Sequence, residues 1–191
     1  MATRLYLVRH GQTEWSRSGR HTGRTDLPLD EHGEKQAIGL KNALAGIAFT
    51  KVVSSPLIRA RCTAELAGFP DVETSPLLLE VDYGSDEGRT RDEIRADRPG
   101  WDFFAHGGLG GESIEAATAR AKEMLASLDD VAGNVLLFSH GHLLRLLTTA
   151  YLDARATFGR QLVLGPATIS ILGHEHEFPT IESWNTQPTL P

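Results

Sequence analysis

Three short apolar runs in this 191-residue chain each stop at polar residues and lead on toward a helical pattern, and this repeated change of period restricts the fold more than any other feature. The first, Arg4 to Val8, ends at Arg9-His10-Gly11. The second, Lys51-Val-Val-Ser54, passes through Pro56 into a helix over Leu57 to Ala67, which Gly68 and Pro70 close. The third, Asn134 to Phe138, ends at Ser139-His140-Gly141 and continues as a helix over Leu143 to Leu152. Between them, Ala37, Leu40, Leu44 and Ile47 predict a helix from about Glu31 to Gly46 with Asp30 as its cap. Ile114, Ala117, Ala121, Met124, Leu125 and Leu128 predict another, capped by Ser113. Thr168 to Leu172 and Thr180 to Trp184 read as two further strands.

Strands that alternate with helices imply an α/β three-layer sandwich, a mainly parallel sheet covered on both faces with right-handed crossovers. No repeat or linker divides the chain, so a single domain over 1–191 is expected. The stretch from Leu79 to Ser113 is different in kind. It is polar and rich in glycine, with a short helix near Asp92 to Arg98 and a cluster at Gly107 to Gly111 that reads as a flexible lid.

Composition removes several classes of function. Hydrophobic residues at 40% and charged residues at 23% fit a globular protein rather than a disordered chain. A net charge of −6 argues against a nucleic-acid backbone or an anionic membrane as partner, so any anion site must be concentrated. Cys62 is the sole cysteine and is expected to be a helix-packing thiol. The N-terminal apolar run is too short for a signal-peptide core, no run approaches a bilayer span, and a cytoplasmic location is expected.

In sheets of this kind ligands bind beyond the carboxyl ends of the strands. Those ends deliver Arg9 and His10, then Ser139, His140 and Gly141, and the second strand leads to Arg59. Two imidazoles and two guanidiniums in one mouth suit an anion with several oxygens, and phosphate is the natural candidate. A neutral imidazole nitrogen of His10 attacks phosphorus while the arginines screen the charge that repels it. The other nitrogen is expected to donate to a backbone carbonyl near Gly11. The departing alkoxide needs a proton, which either Glu80 or Asp82 can supply.

Other chemistries fit less well. His142, His174 and His176 are not accompanied by His-Glu-x-x-His or clustered aspartates, so no metal is expected; His142 is placed beside His140 at the substrate and the other two at the surface. A cysteine phosphatase needs an arginine six residues after the cysteine, where this chain has Gly68. No Gly-Lys-Ser or Gly-Lys-Thr follows the glycine cluster.

An ordered set of motifs then resembles the histidine phosphatase superfamily, the phosphoglycerate mutase-like proteins. It comprises Arg9-His10-Gly11 with Thr13 and Trp15, Gly19-Arg20, Gly23 with Asp26 to Leu29, and Ser54 to Ala60 with Thr63-Ala64. Glu80 to Gly84, Glu87-Gly88, Gly111 to Ser113, and Ser139-His140-Gly141 with Arg145 complete it. The resemblance implies His10 as the phosphorylated nucleophile, Arg9, Arg59 and His140 as the phosphate pocket, and Glu80 rather than Asp82 as proton donor. It extends the substrate-binding set to Ser16, Thr22, Gly23, Gly141 and His142, although many members carry Asn and Gln where this chain has Ser16 and Thr22. The Gly23 region, Asp82-Tyr-Gly84, His140-Gly-His142 and the closing Trp184-Asn185 look most like the small bacterial acid phosphatase branch, and the segment between Glu80 and Gly111 lacks the length of a mutase insertion. The expectation is a cofactor-free phosphatase of small phosphorylated metabolites, favoured at acidic to neutral pH, with a mutase or a non-catalytic phospho-ligand binder as alternatives. Tyr83, Trp101, Phe103, Phe104 and His106 are candidates to line its entrance. Apolar edge strands are compatible with a homodimer.

Overall fold

The computed structural model describes residues 3–189, and its centre is a six-stranded sheet. The strands are β1 (Arg4–Arg9), β2 (Phe49–Ser54), β3 (Glu73–Thr74), β4 (Asn134–Ser139), β5 (Ile169–Glu175) and β6 (Phe178–Thr186). They lie in the order β3-β2-β4-β1-β5-β6. The first four strands are mutually parallel, while β5 and β6 run antiparallel at one side. The expected mainly parallel α/β sandwich is therefore observed, with a C-terminal hairpin added to it.

Seven helices surround the sheet among the described residues: α1 (Glu14–Ser18), α2 (Glu31–Leu44), α3 (Ile58–Leu66), α4 (Arg91–Asp97), α5 (Phe103–His106), α6 (Ile114–Ala126) and α7 (Gly141–Tyr151). Strand alternation assigns them to layers. Leu5, Leu7, Val135 and Leu137 pack with Met124, Leu143, Leu144 and Leu147 beneath α6 and α7. Tyr6, Val8, Leu136 and Phe138 point the other way, onto Leu40, Leu44 and Ala64 of α2 and α3. A one-residue slip of β1 would exchange the two sets, and each fully buried side chain contributes roughly 1.5–3 kcal/mol, so the register is strongly determined.

Asp30 and Ser113 cap α2 and α6 as the sequence predicts, each accepting a backbone N–H of the first turn. The helix after β2 begins at Ile58, one residue later than predicted, and Pro56 lies in the bend before it. The five-residue α1 and two-residue β3 were not predicted: α1 stands on a capping box between Thr13 and Ser16, and β3 is too short to show a period.

The segment after Glu80 forms a third, smaller core of Val81, Tyr83, Ile94, Trp101, Phe103, Phe104, Ile114 and Ala117. Its glycine cluster is pinned rather than free. Ser85 N–H donates to Leu109 C=O at 2.8 Å, Leu109 N–H donates to Asp86 at 2.9 Å, and the Trp101 indole donates to Gly107 C=O at 3.0 Å. A Cβ on Gly111 would stand 2.2 Å from Asp82 O, so glycine is needed there for close backbone approach. The lid reading is thus replaced by a fixed buttress. Among the described residues no helix is long and apolar enough to cross a membrane.

Candidate active site

The sheet register assembles the site. Arg9 lies opposite Ser139 on the neighbouring parallel strand, and His10 N–H donates to Ser139 C=O at 3.0 Å, so His10 and His140 leave the sheet at the same level. Their ring centroids are 5.1 Å apart. Ser55 reaches the same edge from β2, its N–H donating to Phe138 C=O.

Tight backbone packing fixes the turn after β1. A Cβ on Gly11 would lie 2.4 Å from Gly33 O at the start of α2, and Gly11 N–H donates to Thr63 Oγ1 of α3 at 3.0 Å. This folding back brings Gly11 C=O to 2.7 Å from His10 Nδ1. A carbonyl only accepts, so Nδ1 carries the proton and Nε2 is left with its lone pair. Burial, then the charges of Arg59 and Arg9, push the His10 pKa well below its ordinary value, and the ring stays neutral.

His140 is fully buried and equally constrained. Arg59 Nε donates to its Nδ1 at 3.2 Å, so the proton resides on Nε2, which donates to Ser55 Oγ at 2.7 Å. Burial and then Arg59 hold its pKa well below the usual imidazole range. Arg59 itself has no solvent exposure; its terminal nitrogens donate to the carbonyls of Thr22, Gly23 and Thr25. Burial lowers its pKa, but no more than nearby carboxylates, Glu80 foremost, allow. Arg9 donates to Leu164 C=O at 2.6 Å, and its buried Nε has no partner.

Glu80 faces this cationic group from the start of the third core. Its Oε1 accepts the N–H groups of Val81 and Leu143, and Oε2 accepts that of His142. The N-terminus of α7 thus fixes the carboxyl group, since those amides have no partner within the helix. Asp82 turns away to accept Gly84 N–H at 2.8 Å. The two carboxyl groups that the sequence left undecided therefore occupy different settings.

A cavity of about 180 Å³ opens over these groups. Arg9, His10, Ser16, Thr22, Glu80, Gly141 and His142 line it, whereas Arg59, His140 and Gly23 do not. Ser16 shares its hydroxyl with Thr13 in the cap of α1, and Thr22 Oγ1 donates to Arg20 C=O at 3.3 Å. Gly23 is occupied on both sides, donating to Glu87 and accepting from Arg59. Its place is behind the lining, where a Cβ would meet Val81 O at 2.4 Å.

The remaining lining comes from Gly19, Arg20, His21, Tyr83, Arg145 and Leu164. Tyr83 OH and His142 Nδ1 share a hydrogen bond of 2.5 Å; burial raises the phenol pKa well above normal and lowers the imidazole's, so both groups are neutral. His142 stacks on His21 with centroids 5.8 Å apart and packs on Phe103 at 4.0 Å. His21 and Arg145 were not assigned to the site from sequence. Arg145 was accessible to helix geometry, since it lies four residues after Gly141 on the same face of α7. His106 hydrogen-bonds within the Asp102 turn and lies outside both this cavity and its neighbour, which Trp101, Phe103 and Phe104 do line. Among the described residues no three His, Cys, Asp or Glu side chains are grouped to hold a metal ion.

Residues 5–187 match the Histidine phosphatase superfamily (branch 1). The chain is 38% identical over 177 residues to an acid phosphatase of Mycobacterium tuberculosis, covering 91% of this chain and 87% of that protein. It is 31% identical over 191 residues to a probable phosphoglycerate mutase, GpmB, of Salmonella paratyphi A, covering 94% and 89%. The solved structure of a Mycobacterium tuberculosis open reading frame product superposes with a TM-score of 0.92 at 36% identity, over 97% of this chain and 98% of that one. With the motifs, the sheet and the paired histidines all in agreement, the chain belongs to the histidine phosphatase superfamily.

Proposed function

We propose that the chain is an acid phosphatase that hydrolyses phosphomonoesters of small metabolites through a phosphohistidine at His10. The observation that carries this reading is the neutral His10 ring, held by Gly11 C=O so that Nε2 keeps its lone pair beside two arginines. In the first step the Nε2 lone pair forms a bond to phosphorus while the ester P–O bond breaks. Arg9, with its buried unpartnered Nε, binds the phosphoryl oxygens; Arg59 and His140 supply charge and rigidity from behind. Glu80 gives its proton to the departing alkoxide. In the second step the ionised Glu80 takes a proton from water, the oxygen attacks phosphorus, and the P–N electron pair returns to Nε2.

The acidic preference follows from the same features. His10 keeps its lone pair at acid pH because its pKa is depressed. The similarity to an acid phosphatase supports the assignment. A cytoplasmic setting belongs to this reading and is supported by the single cysteine, since secreted domains commonly rely on disulfides.

A second reading, phosphoryl transfer between two hydroxyls, is favoured by the similarity to a probable mutase. Hydrolysis of p-nitrophenyl phosphate in excess chelator, from acid to neutral pH, tests the first. Activity that persists with chelator and disappears in His10→Ala is expected. A native protein inactive on this ester, yet active with a bisphosphorylated primer, would favour the mutase.

A further inference from the structure

Arg9 is held from one side only. Arg59 makes four hydrogen bonds to fixed partners, whereas the Arg9 guanidinium has one acceptor among the described residues, Leu164 C=O at 2.6 Å. Leu164 also lines the cavity over His10, and it belongs to an irregular stretch, Leu162 to Thr168, that leads into β5. The aim of Arg9 therefore depends on what fixes this stretch.

Two side chains of β6, the outermost strand on that side, reach across to it. Trp184 Nε1–H donates to Val163 C=O at 2.5 Å, and Asn185 Oδ1 accepts Gly165 N–H at 2.7 Å. The peptide groups on both sides of Leu164 are thus clamped. Leu164 C=O and Gly165 N–H are the two ends of one planar trans peptide unit, so Arg9 and Asn185 grip that unit from opposite sides. Each hydrogen bond polarises the other.

A bulge makes this reach possible. Ile169 pairs with Thr186 and Ile171 with Ser183, so β6 carries one residue more than β5 between them, and Asn185 there takes φ +56°. Its N–H is diverted to Ser170 Oγ at 2.9 Å. Buried Ala167, at φ +49°, donates to the carbonyls of Arg9 and His10 at 3.0 and 3.1 Å. Residues with side chains rarely adopt this left-handed conformation, and bulges beside active sites commonly re-aim a side chain.

We propose that Asn185, with Trp184 beside it, is a positioning residue for phosphoryl binding: it fixes the Leu164–Gly165 peptide and, through it, the guanidinium of Arg9. Neither side chain lines the cavity, so both act through Arg9. The inference rests on the phosphatase reading above, in which Arg9 binds the phosphoryl oxygens, and names what sets the geometry of that arginine.

The test measures calorimetric binding of inorganic phosphate, with kcat/KM for p-nitrophenyl phosphate alongside, in Asn185→Gly and Asn185→Asp. Glycine removes the side chain without strain at positive φ, and aspartate keeps an acceptor. Asn185→Gly should weaken phosphate binding and lower kcat/KM about tenfold, while Asn185→Asp stays within about threefold of the native protein. Trp184→Phe, which lacks the indole N–H, should fall between them. Combined with Arg9→Met, Asn185→Gly should cause no further loss of kcat/KM, whereas a role unconnected with Arg9 would add its full effect again. Native-like phosphate affinity in Asn185→Gly, or an undiminished loss beside Arg9→Met, would overturn the inference and leave the phosphatase reading intact. Phosphate binding that needs both Arg9 and Asn185, in a protein that hydrolyses no ester, would uphold the inference while the hydrolytic reading fails. A native protein that binds no phosphate would remove both. Should thermal melting show that Asn185→Gly does not fold, Trp184→Phe and its combination with Arg9→Met carry the test, and native-like affinity in Trp184→Phe would count against the inference.

Discussion

His10 and His140 stand at the ends of adjacent central strands, held by the backbone ladder and by fixed ring-nitrogen partners, one for His10 and two for His140. His21 and Tyr83, on the opposite side of the same cavity, belong to segments outside the sheet. His21 is held by hydrogen bonds to Arg89 C=O, and Tyr83 by the small third core. The floor is thus rigid because the whole sheet supports it, whereas the wall depends on a few ion pairs and aromatic contacts. The division suits a catalyst: chemistry at phosphorus is common to all substrates, while the alcohol portion meets a surface that can change without disturbing the sheet.

Arg59 offers the most severe way to break this contrast. Its four hydrogen bonds tie His140 to three carbonyls of the loop at Thr22 to Thr25. Arg59→Met should cost about 3 kcal/mol or more of unfolding free energy, because buried acceptors lose a charged donor. Denaturant titration would reveal it, and a loss below about 1 kcal/mol would show that the floor is not built as described.

Glu80→Gln removes the acidic proton and keeps only one of the two accepting oxygens, so a comparison of leaving groups is needed to separate chemistry from scaffolding. kcat for an alkyl phosphate should fall about a hundredfold, and the fall should be smaller for p-nitrophenyl phosphate, whose leaving group needs little protonation. Equal losses on both esters would assign Glu80 to positioning.

The wall should be easier to disturb than the floor. Asp86 is fully buried, pairs with Arg98, lies 3.6 Å from Arg89, and accepts Leu109 N–H. Asp86→Asn should destabilise by about 2 kcal/mol and raise KM more than it lowers kcat. A kcat loss with unchanged KM would mean that the two regions are coupled more tightly than their separate supports imply.

The smallest expected effect is a pH dependence of stability. His10, His140 and His142 all have folded-state pKa values held well below the ordinary value, mainly by burial. Below about pH 6.5 the unfolded chain binds protons that the folded chain refuses, so stability is full above that pH and declines as pH falls. Melting temperature measured between neutral and acid pH should decrease, and the slope should lessen in His142→Gln. A melting temperature that rises on acidification would contradict the buried neutral state of these rings.

The legibility of the two regions differs for the same physical reason. β1, β2 and β4 follow from apolar runs, α2 and α6 from their period and caps, and so the floor residues Arg9, His10, Arg59 and His140 could be placed by strand-end topology alone. The wall depends on loop crossings that no period records. His21 is brought in by an isolated bridge between Arg20 and Thr90, and the glycines at Gly107 to Gly111 gave a mobile reading because their close packing on Tyr83 and Asp82 leaves no pattern along the chain. Glu80 and Asp82 differ in setting only because α7 presents its first amides to one of them.

The most direct test of the central claim is mass spectrometry of the enzyme quenched in alkali during steady turnover of a phosphomonoester. The account predicts a phosphoryl group on the peptide containing His10, attached through Nε2 and absent in His10→Ala. An enzyme that turns over rapidly with no covalent phosphate, or one labelled at another residue, would contradict it.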